Sequence, residues 1–246
     1  MKSSLEDTLE LMRDLRKRCD WDAAQTHESL RPYLIEEAHE VDETLQLGDD
    51  ARLREELGDL LLQILFHAVL AEERGAFTMH DVADGFVTKM KGRHPHLYGE
   101  GAREPWEKMK ARKRESLTEG LPAGLPALHR AFRLQDRAAG VGFDWPSTEG
   151  PVEKVREELA EVEAELTHPE PDSERLHDEI GDLLFAVVNL ARKAGVHPAL
   201  SLDRANLKFA RRFGEIQRLA VARGIDVNTA GLAVLDSLWD EVKRAE

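Results

Sequence analysis

The chain has 246 residues, of which 41% are hydrophobic and 33% are charged, a balance typical of a globular protein with one or two domains. Its 48 acidic and 34 basic residues leave a net charge of −14, which argues against general affinity for nucleic acid or an anionic membrane. The single cysteine excludes an intramolecular disulfide framework and fits a reducing compartment. The amino-terminal residues lack the apolar core of a signal peptide, and no apolar run is long enough to span a bilayer, so we expect a cytoplasmic protein.

The first half of the chain follows a helical pattern. Apolar side chains recur at three- and four-residue steps from Leu5 to about Lys17, which is the spacing of one face of an α-helix. The rest of this half predicts four more helices. The first begins at Thr26 as a cap, carries acidic residues and ends near Gly48, and a second acidic helix ends near Gly75. A helix opened by Thr78 runs toward Arg93, and a stretch from Glu104 to Leu117 follows.

The second half repeats this order after a break. Residues 121–126 contain two prolines and a glycine, the composition of a linker. Beyond them come a helix, two acidic helices and two further helices that carry basic residues. No segment shows the alternation expected of a β-strand. We therefore predict an all-α fold of two tandem helical-bundle domains, at residues 1–118 and 128–246, with a linker at residues 119–127.

Each half carries the same pattern of acidic residues on its two acidic helices. The first of these helices contains Glu-Glu-x-x-Glu and the second Glu-x-x-Asp, and residues three or four apart share a helix face. Packing the two helices together would crowd the carboxylates, and like charges about 4 Å apart repel by roughly 4 kcal/mol even at an effective dielectric near 20. Such a cluster holds either protons or cations. Its four members are Glu37, Glu40, Glu56 and Asp59 in the first half and Glu158, Glu161, Glu179 and Asp182 in the second, while Glu36 and Glu157 are the first residues of the two Glu-Glu-x-x-Glu motifs.

Basic residues and tryptophans follow the acidic helices of both halves at equivalent places. Oxygen ligands without a paired set of histidines or cysteines favour Mg²⁺ or Mn²⁺ over zinc, and Mg²⁺ commonly bridges to substrate phosphates. Lysine and arginine can meet the other phosphate charges, and tryptophan can stack on a base. Together these residues predict a nucleoside polyphosphate site with a metal-activated water. The candidates are Lys89, Arg93, Trp106 and Lys110 in the first half and Lys208, Arg212, Trp239 and Lys243 in the second.

Other interpretations fit parts of this pattern. Taken singly, an acidic pair on a helix is usually a solvated face. Each of the four tryptophans, taken singly, is more often a packing residue than a base platform: Trp21, Trp106, Trp145 and Trp239. The Glu-x-x-His spacing at residues 36–39 and 174–177 matches that of di-iron helix bundles. The repeat aligns these two histidines with Ala160 and Arg54, so the histidines are not equivalent while the carboxylates are. Di-iron chemistry is therefore discounted.

The duplicated acidic motifs resemble the MazG family of nucleoside triphosphate pyrophosphohydrolases over nearly the whole chain. The resemblance implies an all-α enzyme that cleaves NTPs or dNTPs between the α and β phosphates, giving a monophosphate and pyrophosphate, in nucleotide-pool house-cleaning or stress-related control. It also implies Mg²⁺ dependence and an intertwined homodimer. The segments that carry the resemblance are Glu56–Leu61, Arg93–His96, Val141–Trp145, Gly181–Ala186 and Asn206–Phe213.

By matched motif, the resemblance also implies roles for individual residues. The metal ligands would be Glu37, Glu40, Glu56 and Asp59 in the first half and Glu158, Glu161, Glu179 and Asp182 in the second. The substrate contacts in the second half would be Lys208, Arg212, Trp239 and Lys243.

The two halves are not expected to be equally active. In two-domain members of the family the carboxy-terminal site is typically the more active, and Asn206 in the second half has Val87 as its counterpart in the first. If Asn206 contacts sugar or phosphate, the first half has lost a polar contact.

The general base and a rival function stay open. Glu36 and Glu157 are candidates for the general base, and the sequence does not choose between them and their neighbours. The alternative function is a nucleotide-binding regulator or partner-binding bundle without catalysis. The complete carboxylate sets of both halves argue against it.

Overall fold

The computed structural model describes residues 3–100, 114–170 and 172–246. Within these ranges all regular structure is helical and no strand is present, which confirms the predicted all-α class. The chain divides into two compact units, Met1–Arg103 and Glu104–Glu246, called here the first and second unit. The predicted domain boundaries at residues 118 and 128 stay a prediction.

Four of the six described helices of the first unit begin at a side chain that caps them. Thr26 and Thr78 each accept a hydrogen bond from the backbone N–H three residues later, which confirms both predicted amino-terminal caps. Gly48 ends one helix with φ at 68°, a left-handed conformation that favours glycine. The helices are α1 (Leu5–Arg18), α2 (Asp20–Ala24), α3 (His27–Leu47), α4 (Asp50–Glu73), α5 (Met79–Arg93) and α6 (Pro95–Tyr98).

The core of the first unit determines which part of α4 is free to form a site. α1 and α3 pack on α4. Every buried residue of α4 lies at or beyond Gln63. The amino-terminal half of α4, with its acidic residues, is therefore left outside the core. The buried cluster consists of Leu9, Met12, Leu30, Leu65, Phe66, Val69 and Leu70.

The second unit repeats this helical plan. Its described helices are α7 (Ala127–Gly140), α8 (Glu149–Thr167), α9 (Ser173–Lys193), α10 (Pro198–Ala222) and α11 (Leu232–Ala245). α8 packs along α9, α7 packs on α9, and α10 packs on α11 around Ile216, Ala220, Leu238 and Val242. None of the described helices is long and apolar enough to cross a membrane.

Only the last four residues of the predicted helix at 104–117 can be compared with the structure. Residues 104–113 lie outside the described part of the chain, and residues 114–117 form bends and a turn rather than a helix. There the Glu119 side chain accepts a hydrogen bond from the backbone N–H of Glu115, and Ser116 Oγ accepts one from the backbone N–H of Glu119. These local bonds replace a helical ladder, so the predicted helix was wrong for its last four residues.

Candidate active site

The first unit brings carboxylates of α3 and α4 together. One carboxylate oxygen from each of Glu37, Glu40 and Glu56 lies within 4.8 Å of the others. Partial burial, followed by the charges of Asp59 and Glu40, raises the pKa of Glu37 above its ordinary value. Asp59 therefore lies close enough to act on this cluster, although it is outside the tightest group of three. The four predicted carboxylates of this half thus share one site, and Glu36 is exposed beside them.

The second unit builds the same kind of site from α8 and α9. Carboxylate oxygens of Glu158, Glu179 and Asp182 lie within 4.8 Å of one another, and Glu158 is only 4% exposed. A hydrogen bond with Glu158 is the main cause that raises the pKa of Glu161, and the charge of Glu179 adds to it. Glu161 thus adjoins the group of three.

Lys154 is a feature of this site that the sequence patterns did not single out. Its Nζ lies 2.6 Å from Glu158 Oε1 and 2.9 Å from Glu157 Oε1. Hydrogen bonds to these two carboxylates raise the pKa of Lys154 above its ordinary value. The signal was present, because Lys154 is four residues before Glu158 on the same helix face. The equivalent position in the first half, four residues before Glu37, is Tyr33.

Both clusters fit a hard divalent cation. All the grouped ligand atoms are carboxylate oxygens, the donor set that Mg²⁺ and Mn²⁺ prefer. In the second unit one lysine faces a group of four carboxylates, so the cluster keeps an excess of negative charge. The pKa of Glu37 is raised by burial first and by neighbouring carboxylates second, and that of Glu161 mainly by its hydrogen bond with Glu158, so in both clusters carboxylates lie close together.

Two of the predicted substrate-binding cations of the second half pair with carboxylates outside the cluster. Arg212 donates to Glu246 from Nη2 at 2.6 Å and from Nε at 3.1 Å. Its guanidinium also lies 5.5 Å from the ring centroid of Trp239. Lys243 pairs with Asp240 at 2.8 Å. In the described ranges, no hydrogen bond or ion pair joins Lys208, Arg212 or Lys243 to the carboxylates of the site.

The other predicted contact residues are spread over exposed helix surfaces. Asn206 and Lys208 are exposed on α10, and Lys208 lines a pocket of about 550 Å³ together with Arg204 and Arg211. Lys89 is exposed on α5. Arg93, at the end of that helix, is half-buried. The remaining two candidates, Trp106 and Lys110, lie outside the described residues.

A cavity opens beside the carboxylates of the second unit. Its volume is about 860 Å³, and Glu158, Asp182 and Lys154 form one part of its lining. Aromatic side chains form another part, including Phe143 and Trp145. The Trp145 side chain is therefore a wall of this cavity, and the interpretation as a packing residue does not describe all of its surroundings.

Comparisons with known proteins agree with this arrangement. The profile of the MazG nucleotide pyrophosphohydrolase domain matches residues 25–98, which include the first acidic cluster. A nucleoside triphosphate pyrophosphohydrolase of Escherichia coli K12 is 39% identical over 250 residues, covering 97% of this chain and 95% of the relative. The nucleoside triphosphate pyrophosphohydrolase/pyrophosphatase MazG of Thermotoga maritima is 40% identical over 247 residues, with the same coverage.

A shorter match comes from Mycobacterium tuberculosis. Its nucleoside triphosphate pyrophosphohydrolase is 40% identical over 149 residues, which are 56% of this chain and 46% of that protein. The paired acidic helices and the near full-length matches define the class of all-α nucleotide pyrophosphohydrolases. This chain belongs to the MazG family.

Proposed function

We propose that this chain is a Mg²⁺-dependent nucleoside triphosphate pyrophosphohydrolase, which cleaves NTPs or dNTPs between the α and β phosphates and releases a monophosphate and pyrophosphate. The observation that carries the proposal is the convergence of carboxylates from two helices in each unit. Membership of the MazG family, and the activity named for its relatives in Escherichia coli and Thermotoga maritima, support the reaction class.

The carboxylates would hold the metal. In the second unit these are Glu158, Glu179 and Asp182, joined by Glu161, and in the first unit they are Glu37, Glu40, Glu56 and Asp59. Bound Mg²⁺ supplies charge neutralisation for the triphosphate and a lower pKa for a coordinated water. Mn²⁺ suits the same oxygen donors and is expected to substitute for it.

A carboxylate at the edge of the cluster would accept the proton of the attacking water. Glu161 is a candidate for this role as well as for a metal ligand, because it adjoins Glu158 and Glu179 without belonging to the group of three. Glu157, the candidate from the sequence, is held by Lys154 at 2.9 Å. Glu36 and Glu157 stay candidates for the base, and Glu161 is added to them.

Positive charge for the phosphates would come from Lys208, Arg212 and Lys243, with Asn206 as a polar contact and Trp239 beside Arg212. Lys89, Arg93, Trp106 and Lys110 are the corresponding candidates in the first half. Arg212 holds Glu246 in this structure, so a phosphate group would have to exchange with that carboxylate.

A homodimer belongs to the same proposal. α10 leaves four large apolar side chains about half exposed, and a second copy of the chain would cover this apolar surface. These side chains are Leu200, Leu202, Leu207 and Phe209. Light scattering coupled to size-exclusion chromatography tests this point directly. The cytoplasmic location stays a prediction.

The proposed function is tested by measuring pyrophosphate release from a panel of NTPs and dNTPs with and without Mg²⁺. The wild-type chain should release pyrophosphate only with the metal. The double variant Glu40→Gln, Glu161→Gln should lose this activity, whereas Glu163→Gln, an exposed residue of α8 outside the cluster, should keep it. Equal activity in the double variant and the wild type would remove the carboxylates from the mechanism.

A further inference from the structure

We propose that the cavity beside the carboxylates of the second unit binds the nucleobase of the substrate, and that Gln135, Phe143 and Trp145 recognise it. The ligand class is a planar aromatic base that offers an N–H donor at its edge. This inference rests on the proposed function, since it places the base of the same nucleotide whose phosphates would meet the metal site.

The position of the cavity is the first argument. Glu158 and Asp182, two of the carboxylates grouped in the second unit, belong to its lining, so the cavity and the proposed metal site are continuous. Its volume of about 860 Å³ falls within the roughly 300–1,000 Å³ of typical ligand pockets. A nucleotide with its phosphates at the carboxylates would therefore have room for its base in this cavity.

The aromatic part of the lining is the second argument. Phe143 is 82% exposed and Trp145 is 44% exposed, although both are large apolar side chains. Phe185 of α9 lines the same cavity. Stacking on a base would remove such surfaces from water, and aromatic side chains accept every base because each base has a π-face.

The segment that carries Phe143 and Trp145 is held in place by two sets of contacts. Asp144 accepts hydrogen bonds from Arg192 and Lys193 at the end of α9, the one from Lys193 at 3.0 Å. The Trp145 indole lies against the backbone of Gly150, so closely that a Cβ at that position would overlap the ring. A stacking surface held in this way loses little conformational freedom when a base binds.

A buried acceptor gives the cavity a polar contact. Gln135 is only 7% exposed, and its Nε2 donates to the carbonyl of Phe185 at 2.8 Å. Its Oε1 has no hydrogen-bond partner among the described residues. A buried acceptor without a donor is unfavourable, and an N–H group of a base would satisfy it.

Asn189 adds a donor to the same lining. Its Oδ1 already accepts from Nε and Nη2 of Arg192 at 3.2 and 2.9 Å, so its NH₂ group is the part available to a ligand. The acceptor on Gln135 can take a hydrogen bond from a donor of the base, and the amide of Asn189 can give one to an acceptor of the base. The cavity therefore combines stacking, which every base satisfies, with hydrogen bonds that depend on the base.

The kinetic test compares nucleotides with inorganic tripolyphosphate, which has the phosphates but no base. Phe143→Ala should raise KM for NTPs by about 5- to 100-fold, the range expected for loss of one stacking contact. Its inhibition constant for tripolyphosphate should stay within twofold of the wild type. Leu166→Ala, a change at another exposed apolar residue, on α8 and outside the cavity lining, should leave both values unchanged. Unchanged KM values across the NTP panel in Phe143→Ala would overturn the inference.

A second measurement needs no catalysis and no metal. Saturation-transfer difference NMR of AMP, GMP, CMP and UMP with the metal-free chain should show transfer to the base protons, and this transfer should be lost in Phe143→Ala. Gln135→Leu, checked for folding by thermal melting, should change the order of preference among the bases. Transfer that persists unchanged in both variants would place the base elsewhere.

Failure of the proposed function and failure of the inference about the cavity give different results. If the wild type releases no pyrophosphate from any NTP, the proposed function fails, and the NMR experiment still decides whether the cavity binds a base. If the wild type hydrolyses NTPs while both variants keep wild-type KM values and base transfer, only the inference about the cavity fails.

Discussion

Lys154 Nζ lies 2.6 Å from Glu158 Oε1, and the Glu158 side chain is only 6% exposed while that of Lys154 is 41% exposed. The lysine thus reaches from the surface to the most buried carboxylate of the second acidic cluster. A buried carboxylate is tolerated only when it is paired with an opposite charge, so Lys154 serves as the counterion of Glu158. The first half has Tyr33 at the equivalent position and offers no such charge.

Removing this lysine should affect stability and metal response together. Lys154→Met should lower the free energy of unfolding of the metal-free chain by about 1 kcal/mol, a value kept low because the lysine is partly exposed. Mg²⁺ should then raise the melting temperature of the variant more than that of the wild type. Urea denaturation and thermal melting measure the two effects. A variant as stable as the wild type, with the same metal response, would show that Lys154 does not neutralise the cluster.

Neutralising single carboxylates should show which half carries more of the activity. Glu161→Gln should reduce Mg²⁺-dependent turnover by about 100-fold, the upper end of what loss of a residue supporting a metal site costs. Glu40→Gln should have a smaller effect, because the first half lacks counterparts of Lys154 and Asn206. Steady-state rates of pyrophosphate release give the comparison. A larger loss in Glu40→Gln would assign the main site to the first half.

Asp144 should make a pH-dependent contribution to stability. Burial acts to raise the pKa of Asp144, but hydrogen bonds from Arg192 and Lys193 outweigh it and hold the pKa below the ordinary value of 3.8. The carboxylate therefore stabilises the folded state above pH 3.8, and this contribution is lost as the pH falls through the lowered pKa.

Asp144→Asn measures this contribution. The variant should be less stable than the wild type by about 1–3 kcal/mol at pH 7, the usual cost of losing hydrogen bonds to a charged group. The difference should shrink below pH 4, as urea denaturation over a pH series would show. A difference that is constant down to pH 3 would mean that the charge of Asp144 is not its cause.

Glu246 should compete with the substrate for Arg212. Its two carboxylate oxygens accept hydrogen bonds from Nη2 of Arg211 and Nη2 of Arg212, each at 2.6 Å, as the oxygens of a phosphate group would. Glu246→Gln should therefore lower KM for NTPs by roughly two- to fivefold, consistent with the modest strength of an exposed ion pair, and leave kcat unchanged. An increase in KM would instead indicate that Glu246 positions Arg212 for the substrate.

The helices and the acidic clusters were the parts that local spacing could predict. Residues three and four apart share a helix face whatever the tertiary structure, so Glu37 with Glu40 and Glu179 with Asp182 had to point together. The duplication supplied a second copy of the pattern within one chain. The caps at Thr26 and Thr78 were predictable for the same reason, since each depends only on the next three residues.

Other parts of the site depend on contacts between distant residues. Asp144 is held by residues 48 and 49 positions away, and Gln135 donates to a carbonyl 50 positions away, so no local pattern indicated the cavity. Arg212 has its carboxylate partner 34 residues later, outside any repeat landmark. Such pairings arise from tertiary packing, which the spacing of residues along the chain does not predict.

The measurement that tests the central claim most directly is ³¹P NMR of the products formed from NTPs in ¹⁸O-labelled water with Mg²⁺. The account predicts a nucleoside monophosphate and pyrophosphate, with the label in the monophosphate, because water attacks the α-phosphorus. A nucleoside diphosphate and orthophosphate would contradict α–β cleavage, and label in pyrophosphate would contradict attack at the α-phosphorus.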